Sequence, residues 1–262
     1  MNTQVVLVGL YTYFNVPVRI LHPLADRIKG VDAHTIFYKN YDSNIFSLPT
    51  AKEEKIFEDT IKQLNPKIVA MSLLSPYVLI AKRLTELIKK HTSAIVLWGG
   101  VGPTITPEEH IKLTDIICIG EGERAFEELI LAVRDGKDYK NIKNLWINDG
   151  SKIIKNSQGP LIQDLDNLPF AKYGSKNMYF IEHNKLSRED PELDHSILYL
   201  QSTRGCPYSC SFCIETMYHE IYKGLGKFVR RRSVDSIVQE VRVHLDRPGN
   251  RKKRVYFIDE VF

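Results

Sequence analysis

The 262-residue sequence holds no apolar run long enough to cross a bilayer. Its longest mostly apolar stretch, residues 68–81, is broken by serines and a proline, and a membrane helix needs about 20 apolar residues. The opening residues MNTQVVLVGLY have neither the basic n-region nor the long apolar h-region of a secretory signal. Charge of one sign is not in large excess, with 36 Lys+Arg against 32 Asp+Glu, and the charged fraction of 26% argues against wholesale disorder. Internal repeats and low-complexity tracts are absent. Cysteine is scarce: there are four, and three of them, Cys206, Cys210 and Cys213, fall within eight residues. A secreted disulfide scaffold would spread an even set along the chain. These absences predict a soluble cytoplasmic protein with a metal or cluster site in a reducing compartment.

What is present in the first half is an alternation. Short apolar runs rich in β-branched residues occur at 5–9, 34–38, 68–72, 94–99 and 116–120, and helical patterns lie at 16–29, 51–64, 77–91, from Pro107, and at 123–134. Runs that are apolar throughout, rather than at every second position, predict strands buried on both faces of a parallel sheet. Strand–helix alternation at this spacing predicts a doubly wound, Rossmann-like α/β domain.

In such sheets ligands bind beyond the carboxyl ends of the strands. Gly9 follows the first strand, Ser72 to Ser75 the third, Gly99-Gly100 the fourth and Gly120-Glu121-Gly122 the fifth. A glycine often just ends a strand, but four small-residue ends on one rim predict a platform that a large ligand approaches closely. The dinucleotide fingerprint G-x-G-x-x-G is missing after the first strand and no Walker A sequence is present, which disfavours ordinary NAD and nucleoside-triphosphate sites.

Ser72-x-Leu74, then Gly99-Gly100 after 24 intervening residues, resembles the S-x-L and GG elements of cobalamin-binding domains. The run from Gly99 to Thr104, Pro107-Glu108-Glu109 and Gly120-Glu121-Gly122-Glu123 resemble the version fused to radical S-adenosylmethionine (radical SAM) enzymes. The resemblance implies that Ser72, Leu74, Gly99, Gly100, Gly120, Glu121 and Gly122 line a groove for the corrin and its nucleotide tail. The D-x-H-x-x-G element that supplies a cobalt-ligating histidine elsewhere is absent. His22 lies nearby without the Asp or Gly at those offsets, and reads as a surface or helix-packing histidine. The resemblance therefore implies cobalamin held without a protein histidine, or a domain that keeps the fold without the cofactor.

Residues 136–195 read as a hairpin around Asp149-Gly150, a favoured two-residue turn, followed by a polar linker. The run 165–170 resembles the connector that follows the cobalamin-like domain in the same family. The chain then reaches Cys206-Pro-Tyr-Ser-Cys210-Ser-Phe-Cys213. A cubane [4Fe–4S] cluster normally takes four cysteines, so three leave one iron open, the usual mark of a catalytic site. C-x3-C-x2-C with Phe212 before the last cysteine resembles the radical SAM signature. That implies a [4Fe–4S] cluster on Cys206, Cys210 and Cys213, S-adenosylmethionine on the open iron and Phe212 near the adenine. The alternative is a Cys3His zinc site completed by His219. Cys118, in an apolar strand, reads as a buried small hydrophobe.

Downstream, residues 229–233 and a helix capped by Ser233 resemble the first helix of the family's barrel, and 255–260 its second strand, ending in Asp259-Glu260. That acidic pair is expected near substrate or the amino group of S-adenosylmethionine. Residues 223–254 carry 11 Lys/Arg against 3 Asp/Glu, while the rest of the chain is net acidic. A solvated helix face and turn, or steering of a phosphate-bearing substrate, account for this; the run lacks the interleaved aromatics of a nucleic-acid platform. The family's domain is a partial (β/α)6 barrel. The chain stops after its first strand–helix units, which predicts a fragment with an uncovered sheet edge, prone to poor solubility or pairing.

The expected organisation is a cobalamin-binding-type domain at 1–135, hairpin and linker at 136–195, and the start of a radical SAM domain at 196–262. The expected reaction is methyl transfer to an unactivated carbon or phosphorus of a small molecule, with electrons from a flavodoxin or ferredoxin; cyclisation and rearrangement stay open. Two other classes remain: a non-catalytic cobalamin-binding module, and a zinc-bearing nucleic-acid-binding protein.

Overall fold

The computed structural model describes residues 2–41, 46–174, 176–247 and 249–261. Pro248, in the basic turn, and Phe262, at the end of the second expected barrel strand, lie outside the described residues. The chain forms two compact units, Met1–Gln158 with Ala171–Asp190, and Gly159–Phe170 with Pro191–Phe262.

The first unit is built on a nine-stranded sheet. Its centre holds β1 (Thr3–Leu10), β2 (Val31–Tyr38), β3 (Ile68–Ser72), β4 (Ile95–Gly99) and β5 (Ile116–Cys118), all parallel, in the order β5-β4-β3-β1-β2. Helices α1 (Val16–Asp26), α2 (Ala51–Leu64), α3 (Val78–His91) and α6 (Glu123–Arg134) cover it, and the short α4 (Val101–Ile105) and α5 (Pro107–His110) lie between β4 and β5. Successive strand residues point to opposite faces. Val6, Val8, Val69, Met71, Val96 and Trp98 pack with Phe57 and Ile61 of α2 and Leu84 and Ile88 of α3. Val5, Leu7, Ile68, Ala70 and Leu97 pack with Val18 of α1 and Phe126, Leu129 and Ile130 of α6. Both faces are covered, so the strands read as unbroken apolar runs and the sheet is doubly wound.

Local chemistry sets the helix ends. Asn15 accepts from Val18 N at the start of α1, and Thr50 with Glu53 forms a reciprocal capping box on α2. Helix α1 ends at Asp26, short of the expected residue 29. The chain turns there through Gly30 (φ +81°), with Val31 N donating to Ile28 O, to enter β2.

Residues 136–195 do more than link. β6 (Leu145–Asn148) and β7 (Ile153–Lys155) form the expected hairpin and extend one edge of the sheet. The hairpin turn centres on Gly150-Ser151, with Asp149 N donating to Lys152 O. β8 (Met178–Glu182) adds parallel to β2 at the other edge and β9 (Lys185–Ser187) folds back on it. The apolar run of β8 is short and its flanks are polar, so these strands leave little trace in the pattern.

In the second unit β10 (Ile197–Leu200) pairs in parallel with β13 (Arg254–Phe257), and β11 (Thr203–Arg204) pairs antiparallel with β12 (Arg230–Arg231). Helices α7 (Ile214–Ile221) and α8 (Val234–Leu245) complete it. The connector anchors here: Asp166 accepts from Ser233 N, the cap of α8, at 3.0 and 3.2 Å. All four residues of β13 are exposed, including Val255, Tyr256 and Phe257. Part of the basic run is internal. Lys252 is buried, donating to Glu192 Oε1 (2.6 Å) and to the carbonyls of Glu192 and Ile197, and Arg232 pairs with Glu240. Among the described residues no helix is long and apolar enough to cross a membrane.

Candidate functional site

In the first unit β1 is flanked by β2 and β3, and the chain leaves it toward both sides. This is the 2-1-3-4-5 order, whose ligand crevice lies at the carboxyl ends near β1 and β3. Three small residues share one register line there: Gly9 faces Ser72 across β1 and β3, and Ser72 faces Gly99 across β3 and β4. Leu73 N donates to Gly99 O at 2.8 Å, tying the two loops just above that line. Gly100 has φ +98°, and a Cβ on it would sit 2.8 Å from Leu73 O, so the loops close only around a glycine. Thr104 Oγ1 donates to Gly100 O (2.7 Å) and accepts from Gly120 N (3.0 Å), joining the loop after β4 to the one after β5.

Cys118 lies beneath these loops. A Cβ on Gly122 would meet its Sγ at 3.4 Å and one on Gly99 its Cβ at 3.8 Å. Burial pushes its thiol up to about 12, as a small hydrophobe of the core. The Glu121 carbonyl accepts from Asn144 Nδ2 at 3.2 Å. Leu74 and Leu79 are exposed beside the rim, and Tyr11 stacks on Tyr77 with ring centroids 4.8 Å apart. The structure thus gathers Ser72, Leu74, Gly99, Gly100, Gly120, Glu121 and Gly122 on one rim. Small residues on a single line beside exposed leucines suit a broad, partly apolar ligand.

His22 is fully buried under α1, with Nδ1 2.9 Å from Thr35 Oγ1, and burial pulls its pKa down to about 4. It packs helix to sheet. His110 of α5 carries no legible pattern in the sequence, yet it lies against the Gly99–Gly102 loop and is buried, its Nε2 without a hydrogen-bond partner among the described residues.

In the second unit the cysteines lie on the loop from β11 to α7. Gly205 (φ +84°) opens it, and a Cβ there would meet Phe228 O at 2.5 Å. Cys206 is buried, its N–H donating to Glu215 Oε2 at 3.1 Å; Cys213 is the N-cap residue of α7, and its N–H donates to Cys210 O at 2.9 Å. All three thiols are free of disulfides. Among the described residues no three His, Cys, Asp or Glu side chains converge closely enough to hold a metal ion. Three free cysteines on one loop fit an iron–sulfur cluster in donor type and number, each thiolate taking a different iron. His219 is engaged elsewhere: Nε2 lies 2.9 Å from Cys206 O and the ring packs on Phe228 at 4.4 Å. It does not join the cysteines as a fourth ligand. Phe212 projects with 91% of its surface exposed.

Asp259 is engaged by the chain itself. Its carboxylate accepts from Ser202 N (2.8 Å), Ser202 Oγ (2.9 Å), Thr203 Oγ1 (2.7 Å) and Thr203 N. It pins the chain just ahead of the cysteine loop. Burial raises the pKa of Glu215, and the charge of Glu260 adds to the effect.

Residues 23–130 match the B12 binding domain family. An uncharacterized methyltransferase of Pyrococcus horikoshii is 27% identical over 217 residues, 80% of this chain and 44% of that protein. The bacteriochlorophyllide d C-12(1)-methyltransferase of Chlorobaculum tepidum is 32% identical over 173 residues, 65% and 31% of the two chains. The anaerobic magnesium-protoporphyrin IX monomethyl ester cyclase of Cereibacter sphaeroides is 25% identical over 230 residues, 79% and 35% of the two. Among solved structures, OxsB with aqua-cobalamin and S-adenosylmethionine gives a TM-score of 0.71 at 18% identity, over 99% of this chain and 34% of that one. TsrM of Kitasatospora setae, with cobalamin and a [4Fe-4S] cluster, gives 0.69 at 16%, over 99% and 49%. At these identities the structural likeness is one of fold. The fold and the rim define an α/β domain of the B12-binding type. The chain is similar over much of its length to radical SAM proteins that carry such a domain, and it spans less than half the length of the curated relatives it matches.

Proposed function

We propose that the chain is the cofactor-binding part of a cytoplasmic radical SAM enzyme that transfers a methyl group to an unactivated carbon or phosphorus of a small molecule. The observation that carries this reading is the register line Gly9–Ser72–Gly99 at the switch point of a B12-binding-type sheet. On that rim Ser72, Leu74, Gly99, Gly100, Gly120, Glu121 and Gly122 hold cobalamin with no histidine from the protein on cobalt. In the second unit Cys206, Cys210 and Cys213 hold a [4Fe–4S] cluster that leaves one iron open for S-adenosylmethionine. When bound, the cluster supplies the electron for cleaving S-adenosylmethionine and cobalamin supplies the methyl group. The side chains bind and orient: Phe212 offers a ring for the adenine, and Asp259 fixes the approach to the cysteine loop. An electron donor such as a flavodoxin or ferredoxin completes the system. The relatives named methyltransferases support the transfer reading, and those named cyclases support cyclisation as its alternative.

A second reading, a cobalamin-binding module without a working cluster, is supported by the family match, which covers residues 23–130 and not the cysteine loop. One sample separates the two. After anaerobic reconstitution with iron, sulfide and hydroxocobalamin, about four irons and four sulfides per chain are expected. They should be lost in the Cys206→Ala/Cys210→Ala/Cys213→Ala variant, with corrin retained through desalting. Corrin without iron establishes the second reading. Zinc in place of iron, or loss of corrin, overturns the first.

A further inference from the structure

Cys206 is the buried member of the cysteine trio, while Cys210 is exposed and Cys213 half-buried. It lies on the loop between β11 and α7, where no strand or helix ladder takes up its backbone N–H and C=O. Buried backbone groups need partners, and here both come from side chains of α7. The Cys206 N–H donates to Glu215 Oε2 at 3.1 Å, and Cys206 O lies 2.9 Å from His219 Nε2. A carbonyl only accepts, so the proton assigned to that contact sits on Nε2 of the ring.

Glu215 and His219 are four residues apart in α7 and so share one face of it. Both are held in place. Glu215 is 5% exposed, and the His219 ring packs on Phe228, whose carbonyl oxygen lies where only a glycine fits at position 205, just ahead of Cys206. Thr216, next to Glu215, donates from Oγ1 to Cys210 O at 2.7 Å, so the same turn of helix also reaches the second cysteine. A carboxylate and an imidazole are costly on the inner face of a short helix, where two apolar residues would pack without that penalty. What they provide is a two-point hold on one residue of the loop.

We infer that Glu215 and His219 are positioning residues for the cluster. By holding the N–H and the C=O on either side of the Cys206 Cα, they fix the backbone that carries its thiolate. This rests on the cluster reading above, because the grip serves a purpose only where Cys206 is a ligand. Neither side chain touches the cluster; each acts through the cysteine.

The test reconstitutes the whole chain anaerobically with iron and sulfide. It then follows iron release to a chelator and the electron paramagnetic resonance spectrum of the reduced cluster. Glu215→Ala and His219→Leu each remove one of the two hydrogen bonds, whereas Glu215→Gln keeps an acceptor oxygen and His219→Gln an N–H donor. The first two variants are expected to release iron at least about ten-fold faster than the parent chain and to change the spectrum. The two glutamine variants should recover most of that loss, together with the parent spectrum. Parent-like release and spectrum in Glu215→Ala and His219→Leu overturn the inference. So does equally fast release in the glutamine variants, which would mean that hydrogen bonds are not what holds Cys206. A parent chain that takes up no iron overturns the cluster reading, and the inference with it.

Discussion

Arg19 and Asp190, 171 residues apart in sequence, meet as a two-pronged ion pair at 2.7 and 2.8 Å with no side-chain surface exposed. The guanidinium lies 4.5 Å from the Phe37 ring centroid and 4.4 Å from that of Tyr173. Nε and Nη2 also donate to the Tyr13 carbonyl and Nη1 to that of Lys172, so all three nitrogens are engaged. The pair fastens the segment carrying β8 and β9 to α1.

Arg19→Met should therefore leave the buried Asp190 carboxylate without its counter-charge and destabilise the first unit by about 3–5 kcal/mol. Urea unfolding measures the loss, and hydrogen exchange should show β8 and β9 opening first. Adding Asp190→Leu should recover part of the stability; no recovery would mean the aromatic packing matters more than the charge.

Stability should also fall in acid through His22. Burial holds its folded pKa near 4, below the unfolded value of about 6.5, so the unfolded chain binds the proton more readily. The stabilisation is whole above about pH 6.5 and is lost as pH falls toward 4, on the order of 3 kcal/mol in all. His34, also lowered by burial, acts in the same direction. In a series of urea melts from pH 8 to 4, His22→Asn should flatten the slope. An unchanged slope would place the acid sensitivity elsewhere.

Gly100→Ala should cost at least about 2 kcal/mol, since it adds positive-φ strain to a backbone clash with Leu73. Gly136→Ala, at φ +65° with open space around it, should cost about 1 kcal/mol. Equal melting temperatures for the two variants would remove the argument that the β3 and β4 loops need a glycine between them.

Asp259→Asn weakens four hydrogen bonds that hold Ser202 and Thr203. The expected loss is about 1–3 kcal/mol in the second unit, together with lower iron retention after reconstitution. Iron held as tightly as in the parent chain would limit Asp259 to a purely local role.

The sequence exposes most of the central sheet because burial on both faces leaves unbroken runs such as Val5 to Val8 and Ile68 to Met71. It exposes the rim because glycine and serine recur at strand ends. It hides β8, where Met178, Tyr179 and Ile181 are buried within a polar neighbourhood, and it hides the partner of Arg19 because an ion pair across 171 residues has no local pattern. His110 is equally silent: a lone histidine in a four-residue helix has no periodicity that would show it buried against Gly102. The charge count misleads at Lys252, which looks like part of a solvated basic run and is in fact an internal cation bonded to Glu192.

The interleaving of the two units has a consequence for synthesis. Residues 159–170 belong to the second unit, although the first resumes at Ala171 and ends at Asp190. As the chain leaves the ribosome, β1 to β7 can assemble, but the β2 edge waits for β8 and Arg19 waits for Asp190. Meanwhile the connector must wait for Arg230 and Ser233, which hydrogen-bond Ile162 and Asp166 some 67 residues later. A nascent chain halted near residue 170 would thus carry a nearly finished sheet with one raw edge and an unclaimed tail. That is the point in translation at which a holding chaperone would matter most.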